Sequence, residues 1–216
     1  MGKLIVFEGV DGSGKSTQYK LLCDHLKVQG IVFRNLVFPR YSEPSSALIR
    51  MYLAGEFGDK PGDVNAYAAS AFFAVDRYAS YVQDWRAFYL AGGLVVTDRY
   101  TTSNAVHQAS KLPPEEREGF LRWLYEFEYE RMGLPVPDLV LFVDADLETA
   151  LSHLRKRETE TNTSADIHER DHAYLAASIE AARTAAKLYH WHRLDGSASV
   201  EEIAAQTARE AEKIWK

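Results

Sequence analysis

At 216 residues the chain is long enough to bury one substantial core, so a single domain over 1–216 is expected. Its 46% hydrophobic and 26% charged composition, with a formal net charge of −6, suits a soluble globular protein and argues against a general nucleic-acid binder. No apolar run approaches the roughly 20 residues of a membrane span, the N-terminal apolar stretch is too short for a signal peptide, and the single cysteine, Cys23, excludes an internal disulfide and reads as a small core residue.

In chain order, Leu4-Ile5-Val6-Phe7 is a short apolar strand. It leads into Gly9-Val10-Asp11-Gly12-Ser13-Gly14-Lys15-Ser16-Thr17, a G-x-x-x-x-G-K-[ST] phosphate loop in its strand-to-helix setting. The glycines let backbone curl around a phosphate, so that successive N–H groups and the positive end of the next helix point at one anion. Lys15 would reach the outer phosphates, and the Ser16 hydroxyl would ligate magnesium. Residues 15–28 carry Leu21, Leu22, Leu26 and Val28 at helical spacing, and Gly30 closes that helix. A second strand, about 32–38, ends in Phe38-Pro39-Arg40-Tyr41. Residues 45–54 form a short helix and 55–62 a loop; a long helix free of proline and glycine runs from about 63 to 90 and stops at Gly92-Gly93.

A third strand, 94–97, leads into Asp98-Arg99-Tyr100. Pro113-Pro114 opens a helix to about 132. Residues 137–144 are a continuous apolar strand, the pattern of a strand covered on both faces. Residues 147–157 are helical and end in Arg155-Lys156-Arg157; 158–166 are polar apart from Ala165 and read as a mobile flap. Helix resumes near 169 and continues to 189, 192–194 make the last strand, and Ser199 with Glu202 three residues on opens a terminal helix to 215. Strands alternating with helices give an α/β fold, a parallel sheet wrapped on both sides with ligands at the carboxyl ends of its strands.

A phosphate loop alone does not separate a kinase from a guanine-nucleotide switch or a motor. The Asn-Lys-x-Asp signature of the switches is absent. Instead Arg40, Arg99 and the Arg155-Lys156-Arg157 run add cations around one phosphate site, as a reaction joining two phosphate-bearing substrates needs. On an acidic body such a site is expected to be locally basic. Phe73 and Arg77, four apart on one helix face, suit stacking on a base with a guanidinium at its carbonyl edge; equally, Phe73 can be core and Arg77 can pair with Asp76 or another acid. Asp11 is unusual in a phosphate cradle, since its charge repels the ligand; the plain alternative is a turn-stabilising aspartate.

In these segments the chain resembles the thymidylate kinases, which phosphorylate dTMP. The matching stretches are Phe7-Glu8-Gly9 through Thr17, Phe38-Pro39-Arg40-Tyr41, Phe73-Ala74-Val75-Asp76-Arg77, Asp98-Arg99-Tyr100 with Ser103-Asn104, and Asp166-Ile167-His168-Glu169-Arg170, in family order. The resemblance implies a three-layer P-loop NTPase fold, with a five-stranded parallel sheet flanked by helices and a short mobile lid at about 155–170. It implies transfer of the γ-phosphoryl group of Mg-ATP to dTMP in a cytoplasmic homodimer. ATP would bind Gly9, Val10, Asp11, Gly12, Ser13, Gly14, Lys15, Ser16 and Thr17. The monophosphate would bind Asp11, Phe38, Arg40, Tyr41, Phe73, Arg77, Arg99, Ser103, Asn104 and Gln108, with Phe73 under the thymine and Arg77 on its carbonyl oxygen. Lys15, Asp98 and Arg99 would be catalytic, and Mg2+ would meet Ser16, Asp98 through water, and Glu169. Family members take a catalytic arginine either from the position after the loop aspartate or from the lid. Here that position is Gly12, so Arg155, Arg157 or Arg170 would supply the charge. His107 stands where the family often has an aromatic ring against C2′ of the sugar. The competing readings are a kinase of another monophosphate, such as dUMP or dCMP, or of a nucleoside, and a nucleotide-binding switch without turnover.

Overall fold

The computed structural model describes residues 1–161 and 172–215, apart from the side chains of Arg157, Glu158, Glu160 and Thr161. Five strands, β1 (Lys3–Glu8), β2 (Phe33–Val37), β3 (Leu94–Asp98), β4 (Leu139–Asp144) and β5 (His192–Asp195), form one sheet in the order β2-β3-β1-β4-β5. All pairings are parallel.

The period of two along the strands explains why the sheet is covered twice. Leu4 and Val6 of β1, Val95 of β3 and Val140 and Phe142 of β4 join one core, which also holds Trp85, Phe120, Leu121 and Ile179. Their neighbours Ile5, Phe7, Val96, Leu141 and Val143 face a second core. That second core is closed by Tyr19, Leu22, Cys23 and Leu26 of α1 (Lys15–Val28) and by Ile203 and Ala211 of α9 (Val200–Trp215). Cys23 is the small buried residue expected, its thiol pushed up to about 11 chiefly by burial.

The first core lies under α3 (Ala66–Ser80), α4 (Arg86–Leu90), α5 (Thr101–His107), α6 (Pro114–Tyr125) and α8 (His172–Leu188). A short α2 (Ala47–Leu53) precedes α3. The long helix begins at Ala66 rather than 63, because the Asn65 side chain accepts from Ala68 N at 2.9 Å and caps it. It continues through a π-helical segment, Tyr81–Trp85, into α4, and α6 ends in another, Glu126–Arg131. The Ser199/Glu202 capping box forms as expected, with Ser199 N donating to Glu202 Oε2 and Glu202 N to Ser199 Oγ. α7 (Leu147–Thr161) runs four residues past the expected end at Arg157. Thr159 Oγ1 donates back to the Arg155 and Lys156 carbonyls there. The remainder of the expected flap, 162–166, lies outside the described residues.

Because β1 feeds β2 by crossing β3, and β3 feeds β4 by crossing β1, the chain reverses direction across the sheet at β1. In such sheets the crevice at the carboxyl edge of the switch-point strands is where ligands sit.

Candidate active site

A cleft of about 940 Å³ occupies that crevice, with residues 11–17 as its floor. Two loop positions require glycine. Gly12 has φ 80°, and a Cβ there would stand 2.2 Å from the Ala150 carbonyl oxygen of α7. A Cβ at Gly9 would stand 2.5 Å from Ser13 Oγ. An arginine after Asp11 is therefore excluded on steric grounds. Any further cation on the donor side has to come from elsewhere.

Lys15 is buried, and its Nζ lies 3.6 Å from Asp11 Oδ1. Burial, and then the charge of Arg99, lower its affinity for a proton, while Asp11, Asp98 and Glu8 work the other way. Arg99 follows β3 directly in a left-handed conformation, φ 68°. For a residue with a Cβ that costs roughly 1–2 kcal/mol, so surrounding contacts must enforce it. They are dense. Arg99 Nη2 donates to Asp11 Oδ1 at 2.5 Å, Nη1 donates to Ser103 Oγ at 3.3 Å and to His107 Nε2 at 3.0 Å, and Glu8 Oε1 lies 3.8 Å away. Burial opposes the guanidinium charge, but Asp11, Glu8 and Asp98 overcome it and hold its proton more tightly than usual. Since Arg99 has only donors, His107 Nε2 accepts, which places the imidazole proton on Nδ1.

Three carboxylates thus surround two cations, a formal surplus of one negative charge. The locally basic site expected from sequence is in fact a set of paired charges, because buried cations need partners before any ligand arrives. Ser16 Oγ donates to Asp98 Oδ2 at 2.6 Å, while Asp98 Oδ1 is buried without a hydrogen-bond partner. An orphaned carboxylate oxygen beside a hydroxyl, in a cleft with surplus negative charge, suits a hard divalent cation. Among the described residues no group of three or more His, Cys, Asp or Glu could hold a metal by itself. Phosphate oxygens and water would have to complete the coordination.

On one side of the loop the cleft is lined by Phe38, Tyr41, Phe73, Arg77, Ser103, Asn104 and Gln108, which the sequence grouped together, and also by His107. Phe73 packs edge-to-face with Tyr52, ring centroids 6.3 Å apart. Arg77 is buried and pairs with Glu128 rather than with Asp76. Gln108 is buried, with Oε1 unpartnered. Ser103 Oγ donates to Glu8 Oε2, which also accepts from Thr102 Oγ1, while Glu8 Oε1 accepts from Gly9 N. Glu8 thereby ties the start of the phosphate loop to α5.

On the other side the cleft is lined by Thr149, His153 and Lys156 of α7 and by residues 196–200 after β5. Lys156 belongs to the basic run expected near the phosphates, but Thr149, His153 and residues 196–200 were missed from sequence. The turn Asp195-Gly196-Ser197, at the carboxyl end of the last strand of a parallel sheet, was the available signal. His153 Nδ1 lies 2.8 Å from the Gly12 carbonyl oxygen, docking α7 on the loop.

Several expected residues stand elsewhere. Arg40 does not line the cleft: its N donates to Asp76 Oδ2 and its Nε to Asp76 Oδ1, and Nη2 donates to Ser45 Oγ. Asp76 is fully buried and needs that cation, so Arg40 braces the turn after β2. Arg155 is exposed and outside the cleft. Thr149, His153 and Lys156, at helical spacing, form the face of α7 turned to the loop, and Arg155 is off it. The Arg157 side chain, Asp166, Glu169 and Arg170 lie outside the described residues.

The thymidylate kinase family model matches residues 7–207. A thymidylate kinase of Mycobacterium tuberculosis (strain CDC 1551 / Oshkosh) is 34% identical over 170 residues, 78% of each chain. One from Bifidobacterium longum subsp. infantis is 30% identical over 208 residues, 94% of this chain and 82% of the relative, and one from Plasmodium falciparum (isolate 3D7) is 26% identical over 213 residues, 99% and 91%. With a match spanning both lobes of the cleft, a parallel five-stranded sheet and the phosphate loop at its switch point, the chain belongs to the thymidylate kinase family.

Proposed function

We propose that this protein is a dTMP kinase, transferring the γ-phosphoryl group of ATP to dTMP to give dTDP and ADP. The observation that carries the reading is the two-lobed cleft whose lobes meet over Asp11, Lys15 and Arg99, so two nucleotides entering from opposite ends would meet phosphate to phosphate. The acceptor is a phosphate monoester with a second pKa of about 6, so at neutral pH it already presents an ionised oxygen and needs no general base. The work left is to bring two anions together and stabilise the charge of the transferring group. Lys15 serves the donor phosphates and Arg99 the phosphates at the junction. Bound Mg2+, held by Ser16 and by Asp98 through water, would neutralise charge on the donor phosphates.

One kinase domain over 1–216 carries the reaction, with a lid from about 155 to 170 adding Arg155, Arg157 or Arg170 and, at the metal, Glu169. The steric closure at Gly12 supports a cation from that side. Purified protein should release ADP from Mg-ATP only when dTMP is added. A faster rate on dCMP or dUMP, or ATP turnover indifferent to all three, would refute the substrate or the kinase reading respectively. Phe73→Ala should raise KM for dTMP roughly tenfold, in line with about 1–3 kcal/mol per stacked base, while kcat stays within about threefold. An unchanged KM would remove Phe73 from beneath the base.

The enzyme is a homodimer in this reading, built on α3. Tyr81 and Trp85 are buried, whereas Val75, Tyr78 and Val82 stand 51%, 44% and 45% exposed in one helical row. Tyr78→Glu should convert a dimer to a monomer in sedimentation velocity; a wild type already monomeric at micromolar concentration would end the proposal. A cytoplasmic location is supported by the free, buried Cys23, and among the described residues no helix is long and apolar enough to cross a membrane.

A further inference from the structure

Glu128 is wholly buried and accepts four hydrogen bonds. Arg77 Nε donates to Oε2 at 2.7 Å and Arg77 Nη2 to Oε1 at 2.5 Å; Thr101 Oγ1 donates to Oε2 at 3.0 Å and Asn104 Nδ2 to Oε1 at 2.8 Å. Arg77 and Asn104 both line the cleft; Glu128 does not. The second hydrogen of Asn104 Nδ2 goes to the Ser70 carbonyl oxygen at 3.1 Å. A carboxylate and a carbonyl can only accept, so the group facing them must be the NH2. Asn104 is thereby locked with Oδ1, an acceptor, left for the cleft. Arg77, with Nε and Nη2 spent on Glu128, keeps Nη1 as a donor for the same space.

We infer that Glu128 is a positioning residue for base selection: its carboxylate fixes the amide of Asn104 and the fork of Arg77 so that the cleft offers one donor beside one acceptor. That pair complements the imide edge of a 4-oxopyrimidine, where a carbonyl oxygen adjoins a ring N–H. It mismatches a 4-aminopyrimidine, whose exocyclic NH2 adjoins a bare ring nitrogen. The inference rests on the function proposed above and adds to it the residue that sets the polarity of the recognition edge.

A glutamine at 128 would keep the shape but present one NH2. Placed toward Arg77 Nε it sets donor against donor; placed at the Oε1 position it faces donors from both Arg77 Nη2 and Asn104 Nδ2, so in either orientation the fork or the amide loses its anchor. Steady-state kinetics of wild type and Glu128→Gln with dTMP and dCMP at saturating Mg-ATP, and calorimetric binding of both monophosphates, test this. The expected result is KM for dTMP raised tenfold or more, kcat within threefold, and the dTMP-to-dCMP ratio of kcat/KM and of affinity reduced at least tenfold. Glu128→Gln that merely lowers Tm and leaves the ratio unchanged overturns the inference while the function stands. A wild type that binds dTMP no better than dCMP overturns both. Should Glu128→Gln not fold, Thr101→Val decides: freeing Oε2 should lower the same ratio about threefold, and an unaltered ratio refutes the role.

Discussion

Arg99→Met should reduce kcat by about 10³-fold or more with ATP and dTMP, in the range seen when a cation on a transferring phosphoryl group is deleted. Arg99 is placed at the junction of the lobes by bonds to Asp11, Ser103 and His107 and by a left-handed backbone at the end of β3. Its charge is held by carboxylates rather than by solvent, so an arriving phosphate meets a guanidinium already aimed and desolvated. Arg99→Lys should be nearly as damaging, because its partners are reached from two nitrogens of a planar fork, a spread that one point-like ammonium does not reproduce. Arg99→Met also leaves Asp11 and Glu8 with less compensation, and a lower Tm should accompany its lost activity. The check is single-turnover measurement of ADP formation with circular dichroism melting. If kcat for Arg99→Met stays within threefold of wild type, Arg99 does not touch the reacting groups.

The scaffold was legible in the chain because its signals are local. Short continuous apolar strands, a glycine loop between strand and helix, and the Ser199/Glu202 cap each depend on neighbours a few residues apart, and each formed where expected. The parts that were not legible depend on pairing across the fold. The partner of Arg40, the buried Asp76, stands thirty-six residues away and could not be named from sequence. From sequence Arg77 can pair with Asp76 or another acid, and the acid is Glu128, fifty-one residues on, which sequence could not name. Glu128 did carry a signal. Leu121, Leu124 and Glu128 are buried at helical spacing, so a carboxylate occupies the inward stripe of an amphipathic helix, where only a paired charge is tolerated. Among the alternating glutamates of Glu126-Phe127-Glu128-Tyr129-Glu130 nothing local sets it apart. Glu8 was hidden differently: it lay inside the matching loop motif, and only the fold shows it bridging Gly9, Thr102 and Ser103.

Lys15→Met should lower kcat by roughly 10³–10⁴-fold, that is about 4–5 kcal/mol of transition-state stabilisation, and leave KM for dTMP within about threefold. Nζ pairs with Asp11 and not with Arg77 or Asn104, so the base end of the acceptor site keeps its contacts. The same change should not destabilise the fold. Burial lowers the folded-state proton affinity of Lys15 below its unfolded value near 10.5. The unfolded chain then binds more protons than the native one, so stability rises with pH through the window that ends near 10.5. Below that window the full penalty of burying an ammonium is carried, and methionine abolishes it. Lys15→Met should therefore melt at or above the wild-type temperature at pH 7, with the difference shrinking as pH approaches 10.5. An inactive variant of equal or greater stability is the expected mark of a residue kept for charge on the transferring phosphoryl group. A parallel fall of Tm and kcat would show instead that Lys15 holds the loop together, and the assignment of its charge to the donor phosphates would fail.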